Sequence, residues 1–216
     1  MTVSIREDTM RKLIVTNLVS LDGFVAGPGG DPTPLPMGGF FDEYNHERQR
    51  SAEALVLGRT TYQMLRSYWP AIAEDPSRSP DVLANPASAP MHQDIARRNE
   101  RLRKIVVSDT LTEQDTTPWT ATTTIVARSA AREAVAALKA EGGGDVVVFG
   151  SRTVWNPLLT AGLVDEVHLM VGPVALGAGV PAFDAGTPPL RLLDTRRRDG
   201  SDNVVLCYEV PRGRPQ

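Results

Sequence analysis

Two junctions in the sequence each join an apolar run of strand character to a segment that is compatible with a helix. Residues 54–57 end at Gly58 and a helical pattern follows from Thr60, while residues 145–149 end in the same way at Gly150. A chain that alternates strands and helices in this manner forms a mostly parallel sheet with helices on both faces. The sequence therefore predicts an α/β fold.

The same alternation continues along the rest of the chain. Eight strands are predicted, at residues 12–18, 54–57, 104–108, 122–126, 145–149, 166–172, 190–195 and 203–210. Helices are predicted at residues 42–51, 60–68, 91–99, 129–140 and 153–161. The last two strands are joined by the turn-rich residues 199–203, which predicts an antiparallel hairpin at one edge of the sheet. Residues 27–36 and 74–90 are predicted to be loops.

Length and composition bound the kind of protein that this chain can be. The 216 residues are enough for one domain, predicted at residues 10–212 between a flexible N-terminal extension (1–9) and a tail (213–216). A net charge of −3 without a concentrated basic region argues against nucleic-acid binding. No apolar run reaches membrane-spanning length, and the single Cys207 has no disulfide partner. We therefore expect a cytoplasmic protein that binds neither nucleic acid nor membranes.

The first junction has the chemistry of an anion site. A helix start there offers unpaired backbone N–H groups, the guanidinium of Arg59 and the hydroxyls of Thr60 and Thr61. An arginine in the first turn opposes the helix dipole, and a phosphate or carboxylate ligand would resolve that conflict. Arg152 has the corresponding place after the second junction, so we predict a dinucleotide held between two helix N-termini. The alternative is that Gly58 only turns the chain and Thr60 only caps the helix.

The histidines do not form a recognisable metal or catalytic motif. His46, His92 and His168 lie far apart in the sequence, without the spacing of metal ligands or of a Ser-His-Asp arrangement. His168 lies in a predicted strand, where we expect it to be half-exposed. The sequence therefore predicts no metal site.

Five motifs in chain order carry a resemblance to a known superfamily. They are Ser20-Leu21-Asp22-Gly23, Leu57-Gly58-Arg59-Thr60-Thr61-Tyr62, Val106-Val107-Ser108 with Thr110-Leu111, Val148-Phe149-Gly150-Ser151, and residues 162–169 with 171–183. This order resembles the dihydrofolate reductase superfamily, and it is most similar to stand-alone proteins related to the C-terminal reductase domain of bacterial riboflavin-biosynthesis enzymes. The resemblance implies a dihydrofolate reductase-like fold, NADPH as cofactor and a homodimer.

The resemblance also implies which residues bind the cofactor. Arg59 and Thr60 would bind the adenosine 2′-phosphate and the pyrophosphate, Ser108 and Arg128 would line the adenosine end, and Gly150, Ser151 and Arg152 would present the second helix to the pyrophosphate. Leu57 and Phe149 complete this set at the strand ends, and residues 20–26 would lie along the nicotinamide. The sequence departs from the family pattern at Asp109, where a basic residue is frequent, and at Ser151, which replaces a glycine.

Two functional hypotheses follow. The first is an NADPH-dependent reductase that transfers a hydride to a C=N or C=O bond of a small heterocycle, of pteridine or aminopyrimidine type. In it, Asp22 or Asp42 orients the substrate or relays a proton, and the substrate pocket is formed by Leu21, Phe40, Phe41 and Tyr44. Asp22 in a tight turn and Asp42 as a helix N-cap are the structural alternatives. The second hypothesis is a nucleotide-binding or regulatory module without the reaction, and a flavin in the same cleft is a further possibility.

Overall fold

One eight-stranded sheet organises the molecule, and the computed structural model describes residues 10–211 of it. The strands are β1 (Leu13–Val19), β2 (Phe24–Ala26), β3 (Ala52–Gly58), β4 (Arg103–Val107), β5 (Thr123–Val126), β6 (Asp145–Phe149), β7 (Glu166–Val171), β8 (Val180–Pro181), β9 (Arg191–Arg196) and β10 (Val204–Glu209). The helices are α1 (Gly39–Ser51), α2 (Arg59–Glu74), α3 (Pro80–Ala84), α4 (Ala89–Arg101), α5 (Ala131–Ala140) and α6 (Arg152–Thr160). The predicted N-terminal extension and C-terminal tail lie outside the described residues.

The strand order of the large sheet is β5-β4-β3-β6-β1-β7-β10-β9. All neighbours from β5 to β7 are parallel, whereas β10 runs antiparallel to both β7 and β9. This confirms the predicted, mostly parallel sheet with an antiparallel C-terminal hairpin. The small antiparallel pair of β2 and β8 was not predicted, because strands of three and two residues are too short to show a periodic pattern.

Helices cover both faces of the sheet, as predicted. One face packs against α5 and α6 through a cluster that includes Val135, Trp155, Val56 and Val148. The other face packs against α2 and α4 through a second cluster, in which Leu57 and Val147 are buried. Because the central strands are buried on both sides, their sequences are mostly apolar. None of the helices within residues 10–211 is long and apolar enough to cross a membrane.

Helix α1 packs on the part of the sheet formed by β1, β7 and β10. Its Tyr44 is 4% exposed, and the hydroxyl lies 2.8 Å from His168 Nδ1 and 3.3 Å from Cys207 Sγ. The other ring nitrogen of His168, Nε2, lies 2.9 Å from a carboxylate oxygen of Glu166. The expectation that His168 is half-exposed is therefore wrong, because α1 covers it and leaves 3% of it exposed.

The segment predicted as a loop at residues 74–90 is folded against α2 and α4. It contains α3 between two 3₁₀ turns, Pro76–Arg78 and Pro86–Ser88, and each of these three elements begins with a proline. Proline favours the first position of a helix, where its missing N–H leaves no hydrogen bond unmade. The prediction of a loop is wrong here, since prolines that suggested irregular structure instead start short helical turns.

Candidate functional site

A cleft of about 310 Å³ opens where β3 and β4 end and α2 begins. It is lined by Gly58, Arg59, Thr60, Thr61, Val107, Ser108, Asp109, Thr110, Arg128, Ser151 and Thr153. Gly58 ends β3 and Val107 ends β4, and parallel strands bring these ends to the same edge of the sheet. Open α/β sheets bind ligands at this edge.

The N-terminus of α2 faces the cleft without a side-chain cap. Gly58 at the N-cap position has no capping side chain, and the first turn of α2 contains no acidic residue. The first backbone N–H groups of a helix lack partners within the helix, and the helix dipole adds partial positive charge there. This end of the cleft is therefore suited to an anion.

Arg59 adds a full positive charge at the same place. Its Nη1 donates a hydrogen bond to Thr110 Oγ1 at 3.3 Å, and the side chain is exposed. Within residues 10–211, no carboxylate lies within ion-pair distance of this guanidinium, although Arg128 in the same cleft has Asp109 as a partner. A cation at a helix N-terminus is unfavourable by itself, so an anionic ligand would stabilise this arrangement.

Asp109 reduces the positive charge of the wall of the cleft that carries Arg128. Its Oδ1 accepts a hydrogen bond from the backbone N–H of Arg128 at 2.8 Å, and its Oδ2 lies 3.5 Å from Nε of the same arginine. The carboxylate therefore offsets part of the positive charge that Arg128 brings to the cleft. Asp109 therefore makes this wall less favourable for an anion than a basic residue at the same position would.

Ser151 connects the two junctions that the sequence predicted. The backbone N–H of Gly58 donates to Ser151 Oγ at 2.7 Å, and this hydroxyl donates to Thr61 Oγ1 at 2.9 Å. A Cβ at Gly58 would lie 3.1 Å from Ser151 Oγ, so the close approach favours glycine there. Ser151 itself has left-handed backbone angles (φ 55°, ψ 54°), a conformation that is unfavourable for any residue but glycine.

Most of the residues predicted to bind the cofactor meet in this cleft. Its lining includes Gly58, Arg59, Thr60, Ser108, Arg128 and Ser151. Leu57, Phe149, Gly150 and Arg152 do not line it; Leu57 is fully buried, and Arg152 forms an ion pair with Asp184. Thr61, whose hydroxyl the sequence assigned to the anion site, also lines the cleft. Val107, Asp109, Thr110 and Thr153 line it and were not predicted to bind the cofactor, although each lies within two residues of a predicted one.

Asp22 fixes the backbone of a neighbouring segment. Its Oδ1 accepts hydrogen bonds from Ser20 Oγ (2.6 Å) and from the N–H of Leu176 (3.0 Å), and its Oδ2 accepts one from the N–H of Gly177 (2.6 Å). The Ser20 hydroxyl and the two amides lower the pKa of Asp22 to about 2. These hydrogen bonds stabilise the ionised carboxylate and tie the turn after β1 to residues 174–177, and the part of Asp22 in orienting the substrate or relaying a proton stays a prediction.

Asp42 lies inside α1 rather than at its cap. The helix begins at Gly39 with Gly38 as N-cap, so the alternative that Asp42 is only an N-cap is wrong. Burial, and secondarily the nearby carboxyl group of Asp81, raise the pKa of Asp42 to about 7. His92 also lies close, with Nε2 3.5 Å from Asp42 Oδ2. The sequence did not predict that Asp42, Asp81 and His92 lie together, because these residues come from three separate helices.

The aromatic residues of α1 face the sheet. Phe40 and Tyr44 are buried in the cluster between α1 and the sheet, and Phe41 packs against the same cluster. None of the three is among the residues that line the cleft, and their part in the predicted substrate pocket stays a prediction. Leu21, by contrast, is 66% exposed beside Asp22.

Comparisons with known proteins agree with this architecture. The family model described as RibD C-terminal domain matches residues 11–206. The uncharacterized protein YyaP of Bacillus subtilis (strain 168) is 27% identical over 198 residues, which is 90% of this chain and 92% of YyaP.

Solved structures share the fold over almost the whole chain. A putative riboflavin biosynthesis protein from Shewanella sp. PV-4 superposes with a TM-score of 0.64 at 20% identity, covering 93% of this chain and 99% of that one. Dihydrofolate reductase from Enterococcus faecalis, complexed with NADP(H), gives a TM-score of 0.54 at 14% identity, covering 92% and 95%. At these identities the likeness establishes the dihydrofolate reductase-like fold.

Proposed function

This chain belongs to the RibD C-terminal domain family, a family of reductases, and on that premise we propose that it is an NADPH-dependent reductase of a small heterocycle of pteridine or aminopyrimidine type. The observation that carries the proposal is the guanidinium of Arg59, which lies at the uncapped N-terminus of α2 without a carboxylate partner among residues 10–211. A phosphate-bearing ligand satisfies both features at once.

The donor set of the cleft fits this cofactor. The first N–H groups of α2 and the Thr60 hydroxyl would hold the pyrophosphate, Arg59 the 2′-phosphate, and Ser108 and Arg128 the adenosine end. When bound, NADPH supplies the hydride for the reduction of a C=N or C=O bond. Ser151 fixes the two junctions against each other, which keeps these donors in one arrangement before a ligand arrives.

On the substrate side, the two predicted carboxylates have different tasks. Asp22 holds the turn after β1 in place through its three hydrogen bonds. Asp42 accepts no backbone N–H among the described residues, and we assign it to orienting the substrate. Asn45, one helical turn further along α1, is bonded to Thr16 of β1, which sets the position of this helix against the sheet.

Two assays on the purified protein test the proposal. Fluorescence titration with NADPH, NADH and FMN measures which nucleotide binds, and the loss of NADPH absorbance with a panel of pterins, aminopyrimidines, quinones and aldehydes measures turnover. We expect NADPH to bind, and at least one pterin or aminopyrimidine to be reduced. Failure to bind NADPH would refute the proposal. Binding without turnover of any panel member would favour the alternative of a nucleotide-binding module. The hydrogen bonds by which Asp22 holds the turn after β1 are a reason to test this alternative.

We further propose that the protein is a homodimer. Strand β9 is an edge of the large sheet, and its Leu192 and Leu193 are 50% and 44% exposed. An exposed edge strand with apolar side chains invites pairing with another chain.

A further inference from the structure

Three potential metal ligands from three helices lie close together. They are Asp42 on α1, Asp81 on α3 and His92 on α4, and one donor atom of each lies within 4.8 Å of the other two. Both carboxylates are half-buried, and the histidine is fully buried.

The imidazole of His92 is fixed with one nitrogen pointing at the carboxylates. The side chain is 1% exposed, and its Nδ1 is hydrogen-bonded to Ser79 Oγ at 3.1 Å. Ser79 in turn accepts a hydrogen bond from the Tyr68 hydroxyl at 2.9 Å, and the ring packs beside Trp69 at 6.0 Å between centroids. The other nitrogen, Nε2, is buried and makes no hydrogen bond with any described residue; it lies 3.5 Å from Asp42 Oδ2.

The two carboxylates lack a basic counter-charge. Within residues 10–211, no lysine or arginine lies within ion-pair distance of Asp42 or Asp81, and the two carboxyl groups are close enough to hydrogen-bond with each other. Adjacent carboxylates repel each other unless a proton or a cation lies between them. The buried Nε2 of His92, which lacks a hydrogen bond, is likewise stabilised by a proton or a cation between it and the carboxylates.

We propose that Asp42, Asp81 and His92 bind one divalent transition-metal ion. Imidazole together with carboxylate oxygens suits Zn²⁺, Mn²⁺ or Co²⁺, whereas Mg²⁺ and Ca²⁺ take oxygen ligands. The Tyr68–Ser79–His92 chain orients the imidazole from outside, as hydrogen-bond partners of metal-binding histidines commonly do. Three protein ligands leave at least one coordination position for water or for another oxygen ligand.

The bound ion would connect α1 and α4 to the short helix α3. Helix α3 has only five residues and is too short to be stable by itself. This inference does not depend on reductase activity, because it concerns the binding of a metal and is tested by binding alone.

Isothermal titration of the chelator-treated, full-length protein with ZnCl₂ tests the site, with MgCl₂ as the comparison. We expect one equivalent of Zn²⁺ to bind and to raise the midpoint of thermal unfolding, and Mg²⁺ to bind much more weakly. Titration with CoCl₂ should give visible absorption bands of a cobalt ion with nitrogen and oxygen ligands. Asp81→Asn should abolish binding, and Ser79→Ala should weaken it roughly 10- to 100-fold through the orientation of His92.

His46→Gln is the matched control. His46 also lies on α1, and its Nε2 pairs with Asp94 of α4 at 2.7 Å, so it joins the same two helices without a second carboxylate. We expect its Zn²⁺ affinity to equal that of the wild type. The proposal is overturned if the wild type binds no Zn²⁺, or if Asp81→Asn binds it as tightly as the wild type. Asp81 is half-buried on a short helix, so we expect Asp81→Asn to fold and to give a decisive result.

Discussion

The hydroxyl of Ser151 lies 2.7 Å from the backbone nitrogen of Gly58 and joins the start of α6 to the end of β3. A side chain at one strand–helix junction thereby satisfies a backbone donor at the other. The same hydroxyl donates to Thr61 in the first turn of α2, so one serine fixes both sides of the proposed cofactor site.

Ser151→Ala should lower the free energy of unfolding by about 1–3 kcal/mol, because the Gly58 N–H loses its partner in a partly buried position. Ser151→Gly loses the same hydrogen bonds but relieves the left-handed backbone, so it should cost about 1 kcal/mol less. Urea denaturation of both variants measures the difference. Equal stabilities would show that the backbone conformation is not a significant strain.

Arg59→Ala should weaken NADPH binding by about 1.5–3 kcal/mol, the scale of a hydrogen bond to a charged group. Arg152→Ala is the matched control, because Arg152 is paired with Asp184 and does not line the cleft. Fluorescence titration gives both affinities. An unchanged affinity in Arg59→Ala would mean that this guanidinium does not contact the phosphate.

Asp109→Asn should increase the preference for NADPH over NADH, because it removes the negative charge beside Arg128. Both side chains are more than half exposed, so the effect should be at most about 1 kcal/mol. The ratio of the two dissociation constants measures it. A preference that stays the same, or moves towards NADH, would contradict an electrostatic role for Asp109.

Acid should destabilise the fold partly through Glu166. The hydrogen bond with His168, and secondarily Lys12, lower the pKa of Glu166 to about 2, below its ordinary value in the unfolded chain. The native state therefore favours the ionised form, and this stabilisation is complete above about pH 4.5 and disappears as the pH falls towards 2. The free energy of unfolding should therefore fall less between these pH values in Glu166→Gln than in the wild type, by on the order of 2–3 kcal/mol. Thermal melts of both proteins across this pH range measure the difference. If the stability of the two proteins falls with pH in parallel, Glu166 does not contribute to the acid sensitivity.

Light scattering coupled to size exclusion should show a dimer for the wild type and a monomer for Leu193→Lys, because a charged side chain on the edge strand opposes pairing. Leu83→Lys is the control, since Leu83 is 70% exposed on α3, away from this edge. A monomeric wild type, or a dimeric Leu193→Lys, would argue against an interface at β9.

The strands of the large sheet and the cleft at their ends were predictable because their signals are local. The apolar runs of β3 and β6 mark strands that are buried on both faces, and the glycines that end them mark the turns into helices. The uses of Asp22 and Tyr44 were not predictable in the same way. Asp22 bonds to amides more than 150 residues away, and Tyr44 meets His168 and Cys207 only in the folded chain. Contacts between residues so far apart leave no local pattern in the sequence from which they could be predicted.

The central position of β1 has a consequence for how the chain is completed during synthesis. This strand begins at Leu13, yet its neighbours are β6, where Leu13 pairs with Val146, and β7, where Ile14 pairs with Glu166. Parallel contacts between residues so far apart in sequence form slowly, because a long loop must close first. The middle of the sheet stays open until β6, which ends at Phe149, has left the ribosome, and a nascent chain that ends before β6 exposes β1 with neither partner available.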